Sequence, residues 1–199
     1  MTRSNTNGNL FSALHAAFPV DLDAVAVETA DAQQPSLRYS WRDIDQASAM
    51  LADLLASLEL PQGSRIAAHV EKSVEAMLLY LATLRAGFVY LPLNSAYQSA
   101  EIEYFIKDAE PAVVVCASRN FGWISKIAFK AGTRHCFTLD DDRSGSLLQR
   151  AVALAQAAQA GRRRVADCAK EPGRPGRHPL HQRHHRAQQG RHADAWQSA

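Results

Sequence analysis

Four groups of residues in this 199-residue chain have types and spacings that chemistry uses. Asp140-Asp141-Asp142 offers three carboxylates to a hard cation. Oxygen-ligated metals need donors that converge, whereas three consecutive side chains point in different directions, and with Arg143-Ser144-Gly145 behind it the run reads as a solvated turn. His69, two residues before Glu71, has the makings of a general base. A base acts only on a substrate within hydrogen-bond reach, so the simpler reading is a half-buried structural histidine at a strand end. Cys116 lies inside an apolar run and reads as a small buried hydrophobe. The fourth group is Cys168 with His178-x-x-His181-x-x-His184-His185, a spacing that suits zinc. Pro179 and a shortage of apolar neighbours leave nothing to hold such a site rigid. None of these residues is assigned a catalytic, cofactor-binding or metal-ligating role.

The elements that position these side chains alternate between strand and helix. Val25–Thr29 and Leu37–Tyr39 read as short strands around a turn containing Pro35. Ser40, three residues before Asp43, has capping-box spacing. Behind it Ile44, Ala47, Leu51, Leu54, Leu55 and Leu58 keep helical period until Pro61-Gln62-Gly63. Arg65–Val70 reads as a strand. Ser73 caps a helix with the stripe Val74, Met77, Leu78, Leu81 and Leu84, closed by Gly87. Phe88–Leu91 reads as a strand, and Ser99 as the cap of a third helix. Ala112–Cys116 is an unbroken apolar run, the pattern of a strand buried on both faces. A helix over Trp123–Lys130, a strand over Cys136–Leu139 and a helix over Leu147–Ala160 complete the series. The pattern predicts an α/β fold, a mainly parallel sheet with flanking helices. No G-x-G-x-x-G, no P-loop and no internal repeat is present.

Composition sets outer limits. The chain is 47% hydrophobic and 21% charged with a net charge of +2, which excludes a collagen, a mucin stalk and a wholly disordered polymer. No apolar run approaches the ~18 residues of a membrane helix. Met1 to Asn9 is polar, with no apolar stretch to serve as a secretory signal. Three scattered cysteines point to a reducing cytoplasm rather than a disulfide framework. The charge, however, is unevenly placed. Residues 1–160 hold 13 of the 22 Lys+Arg and 17 of the 20 Asp+Glu, a balance of −4; residues 161–199 hold 9 and 3, a balance of +6. The second segment is expected to be a basic, His/Arg-rich disordered tail. Its nucleic-acid binding is expected to be non-specific electrostatics only.

The stretch VEKSVEAMLLYLATLRAGFVYLPLNSAYQSAEIEYFIKDAEPAVVVC, Val70 to Cys116, resembles the malonyl-CoA synthetases. These are malonate–CoA ligases of the adenylate-forming, AMP-binding acyl-CoA synthetase superfamily. The broader scheme A-G-x-x-x-x-P-L-N is met as Ala86-Gly87 and Pro92-Leu93-Asn94. Glu71-Lys72-Ser73 and Leu93-Asn94-x-Ala96-Tyr97 resemble the malonate branch more narrowly. The resemblance runs from about Asn9 to about Arg150 and implies residues 1–160 to be a partial N-terminal domain. It implies that malonate and ATP form a malonyl-adenylate and diphosphate, and that the CoA thiol then displaces AMP. ATP, Mg²⁺ and CoA are thus implied for the full-length enzyme, malonate being the acid substrate, with no cofactor expected for this fragment. An acyl-CoA synthetase for another acid, and a non-enzymatic α/β module with a polycationic tail, are the alternatives.

The family's Y-T-S-G-T-T-G-x-x-K-G loop, whose glycine amides, hydroxyls and lysine face phosphate oxygens, is absent; the basic tail stands in its place. The family's catalytic residues lie beyond the resembled region, so none is carried over. A shift of one nucleotide accounts for the tail. His178 to Arg186 can be written CAT CCT CTA CAC CAG CGG CAC CAC CGG, and one base later this reads I-L-Y-T-S-G-T-T-G. Ala187 to Gly190 continue as R-S-K-G, and Arg191 to Gln197 as A-M-L-T-H-G-N. Trp196 has one codon, TGG; with the next C it must give glycine, as the family has there. A frameshift between about residue 150 and Gly173 is therefore expected, leaving a chain without ligase activity.

Overall fold

The computed structural model describes residues 9–30 and 36–170, with side chains through residue 161. By compactness the chain divides into Met1–Arg162 and Arg163–Ala199.

Helix α1, Leu10–Ala16, is too short for its spacing to have marked it in the sequence. Asn9 starts it: its side-chain oxygen accepts the Phe11 N–H at 2.8 Å, and its amide donates to the Leu84 carbonyl at 2.9 Å. Phe11 is buried, and the Arg85 guanidinium lies 4.7 Å from its ring centre. Strands β1 (Val25–Glu28) and β2 (Arg38–Ser40) pair antiparallel as a ribbon of their own. The parallel sheet expected from the sequence is thus the later four strands alone.

Helix α2, Trp41–Ala56, opens with a complete capping box: the Ser40 N–H donates to Asp43 at 2.8 Å, and the Asp43 N–H donates to Ser40 Oγ at 3.1 Å. Then come β3 (Arg65–His69), α3 (Val74–Arg85), β4 (Val89–Pro92), α4 (Ser99–Ala109), β5 (Val113–Cys116), α5 (Phe121–Lys130), β6 (His135–Thr138) and α6 (Ser146–Lys170). Strands β3 to β6 form one all-parallel sheet in the order β4-β3-β5-β6. One face carries Ile66, Ala68, Val113 and Val115 into a core with Leu51, Leu55, Leu79 and Leu147. The other carries Ala67, Val114 and Cys116 against Ile102 and Ile106 of α4 and Ile124 of α5. Burial on both faces is why the β5 sequence reads as a continuous apolar run.

Two boundaries differ from expectation. Gln98, not Ser99, caps α4, its N–H donating to Glu101 at 2.7 Å, and Ser99 is the first helical residue. Residues 161–170, expected to begin the disordered tail, are helical backbone: α6 runs through Gly161 to Lys170. Arg162-Arg163-Arg164, Ala166 and Ala169 are good helix formers and carry the helix past one glycine. The rest of the expected tail, residues 171–199, lies outside the described residues. Among the described residues no helix is long and apolar enough to cross a membrane.

Candidate active site at the winding reversal

The strand order fixes where this fold can hold a ligand. From β3 the chain returns through α3 to β4 on one side; from β4 it crosses through α4 to β5 on the other. The winding reverses between β3 and β5, and in open parallel sheets ligands bind outside the carboxyl ends of the strands at such a reversal. His69 ends β3 and Cys116 ends β5, and the two are partners in register. Beyond them lies a cleft of about 390 Å³, lined by His69, by Ser95, Tyr97 and Gln98 ahead of α4, and by Arg119 and Trp123.

His69 is 1% exposed, deeper than the half-buried position expected of it. Its ring meets Trp123 edge-on at 6.1 Å between centres. Burial holds the imidazole below the usual histidine range; its own backbone and that of Tyr97, then the Glu71 charge, offset part of this. Both backbone groups are near the ring, but neither meets a ring nitrogen in hydrogen-bonding geometry. Glu71 is turned away to an ion pair with Arg119, and accepts from Ser95 Oγ at 3.2 Å. The pairing of His69 with Glu71 suggested by their spacing is therefore not formed.

A second cleft, about 260 Å³, lies between the β1–β2 ribbon and the start of α3. Glu75 is 5% exposed there and accepts from the Tyr39 hydroxyl at 3.2 Å. Burial, then the Glu75 charge, pushes the Tyr39 phenol up. The sequence signal for Glu75 was its place in the first helical turn, where an acid is favoured; its partner, 36 residues away, leaves no local signal.

The remaining candidates stay structural. Asp140 accepts from the Ser118 N–H at 2.8 Å and from its hydroxyl, Asp142 accepts from the Ser144 N–H at 3.0 Å, and Asp141 lies in the turn. Asp141 and Asp142 line the second cleft, while Asp140 faces Ser118. Cys116 is fully buried, and its neighbour Cys136 together with burial pushes its thiol up, while Cys116 pulls Cys136 down. Among the described residues no three His, Cys, Asp or Glu side chains converge as a metal would need. The side chain of Cys168, and His178, His181, His184 and His185, lie outside the described residues.

Residues 15–186 match the sequence pattern of the AMP-binding enzymes. The chain belongs to the AMP-binding enzyme family. Apo MatB from Rhodopseudomonas palustris superposes with a TM-score of 0.67 and 43% identity, covering 72% of this chain and 28% of that one. Its ATP-bound form gives 0.66 with the same identity. Tyrocidine synthase 2 from Brevibacillus parabrevis is 32% identical over 78 residues, 39% of this chain and 2% of that protein. An acyl-CoA synthetase from Brucella canis, at 19% identity and a TM-score of 0.53, shares the fold. The chain thus spans little more than a quarter of MatB and a few hundredths of the peptide synthetase.

In this member of the AMP-binding family the A-G-x-x-x-x-P-L-N scheme is a piece of architecture. Gly87 has φ +79°, the left-handed exit from α3 that glycine adopts without strain. Pro92 ends β4, an edge strand where a missing N–H costs no ladder bond. Leu93 is buried, and the Asn94 side chain accepts the Ala96 N–H at 3.0 Å to form the turn into α4. That turn delivers Ser95 and Tyr97 to the cleft. The residues with the narrower malonate-type resemblance, Glu71 and the 93–97 segment, therefore gather at the carboxyl edge of the sheet.

Proposed function

We propose that this chain is part of an ATP-dependent malonate–CoA ligase, converting malonate, ATP and CoA to malonyl-CoA, AMP and diphosphate through a malonyl-adenylate. The observation that carries this reading is its 43% identity to MatB, a malonyl-CoA synthetase, across 72% of the chain.

The described residues do not suit ATP or Mg²⁺. They contain no Gly/Ser/Thr-rich loop to surround phosphates and no converging acids. What they supply is a scaffold: a parallel sheet whose carboxyl edge faces the space where substrates gather. We infer that the 199-residue chain by itself lacks ligase activity, because its sequence carries no phosphate-binding loop. The missing T-S-G-T-T-G-R-S-K-G loop is encoded one base out of phase across residues 181–190. The arginines and histidines of the tail are by-products of GC-rich codons rather than a binding surface.

A diphosphate-release assay tests this directly. The purified chain with malonate, ATP, Mg²⁺ and CoA should release none, and the product of a gene restored to the family frame should release it with malonate in preference to acetate or succinate. Malonate-dependent release by the 199-residue chain would refute the inactivity, and a preference for another acid in the restored enzyme would refute the substrate. Resequencing the locus tests the frame; an upstream frame that no small insertion or deletion joins to the loop would sink it.

A further inference from the structure

The cleft at the winding reversal contains a group that the described structure leaves unsatisfied. His69 is 1% exposed, lines the cleft, and has no hydrogen-bond partner at either Nδ1 or Nε2. A buried polar atom without a partner has lost its hydration with nothing in return. Two independent features point at the same space. The first is a pair of helix starts: Gln98 and Ser99 of α4, and Asn120 ahead of α5, line the cleft. The start of α5 carries no side-chain cap, and the Asn120 side chain is engaged with Trp123 Nε1 at 3.3 Å. A 3-10 turn over Ser118–Asn120 leads into α5 and its Ser118 carbonyl takes the Phe121 N–H, so what these helix starts offer an anion is their dipoles. The second is Arg119, whose side chain is 61% exposed. Its exposed pairing with Glu71 contributes little, so the guanidinium is free to turn inward.

We propose that this cleft binds the oxyanion group of a small ligand, phosphoryl or carboxylate, with a His69 ring N–H donating to it, Arg119 closing over it and the starts of α4 and α5 facing it. The acidic neighbours set a limit on charge. Glu101 takes the Gln98 amide and Glu71 pairs with Arg119, so two carboxylates already engage groups of the cleft lining, and an anion of high charge is disfavoured there. The proposal does not depend on the ligase reading, since binding is measured on a chain expected to be inactive.

The test follows the imidazole signal of His69 by NMR in the whole 199-residue chain, assigned by its contact with Trp123 and by its loss in His69→Gln. Inorganic phosphate or acetate is titrated at constant ionic strength made up with chloride. A saturable shift of that signal is expected with at least one anion; saturation by phosphate alone identifies a phosphoryl site, and by acetate alone a carboxylate site. Arg119→Ala should weaken binding roughly tenfold, as loss of one charge-assisted hydrogen bond implies. Lys126→Ala, which removes an exposed charge outside the cleft lining, should leave it unchanged. No saturable shift with either anion overturns the proposal, as does equal weakening by the two charge substitutions.

Discussion

Burial of the His69 imidazole turns proton uptake into an unfolding force. Its folded pKa lies below the ordinary value of 6.5. Above that value neither state carries the proton and the group contributes nothing. As pH falls through it, the unfolded chain takes the proton first and stability is lost; the loss is complete once pH is below the folded value. His135 acts in the same sense, through burial and the charges of Arg150 and Arg134. The urea midpoint should therefore fall between about pH 7.5 and pH 5, and His69→Gln should flatten that fall in part, leaving the share from His135. An unchanged slope in the variant would mean that His69 is hydrated in solution. Spacing placed this histidine at a strand end correctly. Its depth was not legible, because it depends on Trp123, 54 positions along, whose helix packs across the end of β3.

At the scale of elements, local chemistry that closes within a few residues was readable and chemistry that closes at a distance was not. The Ser40–Asp43 box was legible because both halves lie within one turn, and it forms as the spacing requires. Ser40→Ala should cost about 1 kcal/mol, read as a lower urea midpoint with an unchanged slope. No change in midpoint would show that the carboxylate of Asp43 caps the helix unaided. Ser99 was misplaced by one residue because a serine beside Gln98 looks like the better cap, yet the Gln98 N–H is the one that Glu101 captures. The seven residues of α1 escaped notice for a related reason. The helix is anchored by Asn9 reaching Leu84 and by Phe11 under Arg85, contacts about 75 positions apart. The cleft was illegible for the same cause: its walls come from three separate strand–helix connections that only the strand order brings together.

On the scale of the whole molecule, the four-stranded sheet ends at β4 and β6, and among the described residues no further strand covers either edge. Unpaired edges invite association between chains. Val89, on the β4 edge, is 49% exposed. Val89→Lys should therefore reduce light scattering of the concentrated chain without lowering its urea midpoint; equal scattering would place the association elsewhere. The register within the sheet has a different kind of consequence. Cys136 is paired with Val114 and Cys116 with Thr138, so the two cysteines stand on neighbouring strands, two residues apart in register. With strands about 4.8 Å apart and about 3.3 Å of rise per residue, their Cα atoms stand about 8 Å apart. A disulfide needs no more than about 6.8 Å. The register of the native sheet therefore holds the two cysteines too far apart for a disulfide, while an opened chain imposes no such limit. A Cys116–Cys136 crosslink, detected in a peptide digest after mild oxidation, would be a lasting record that the molecule carrying it had once come apart.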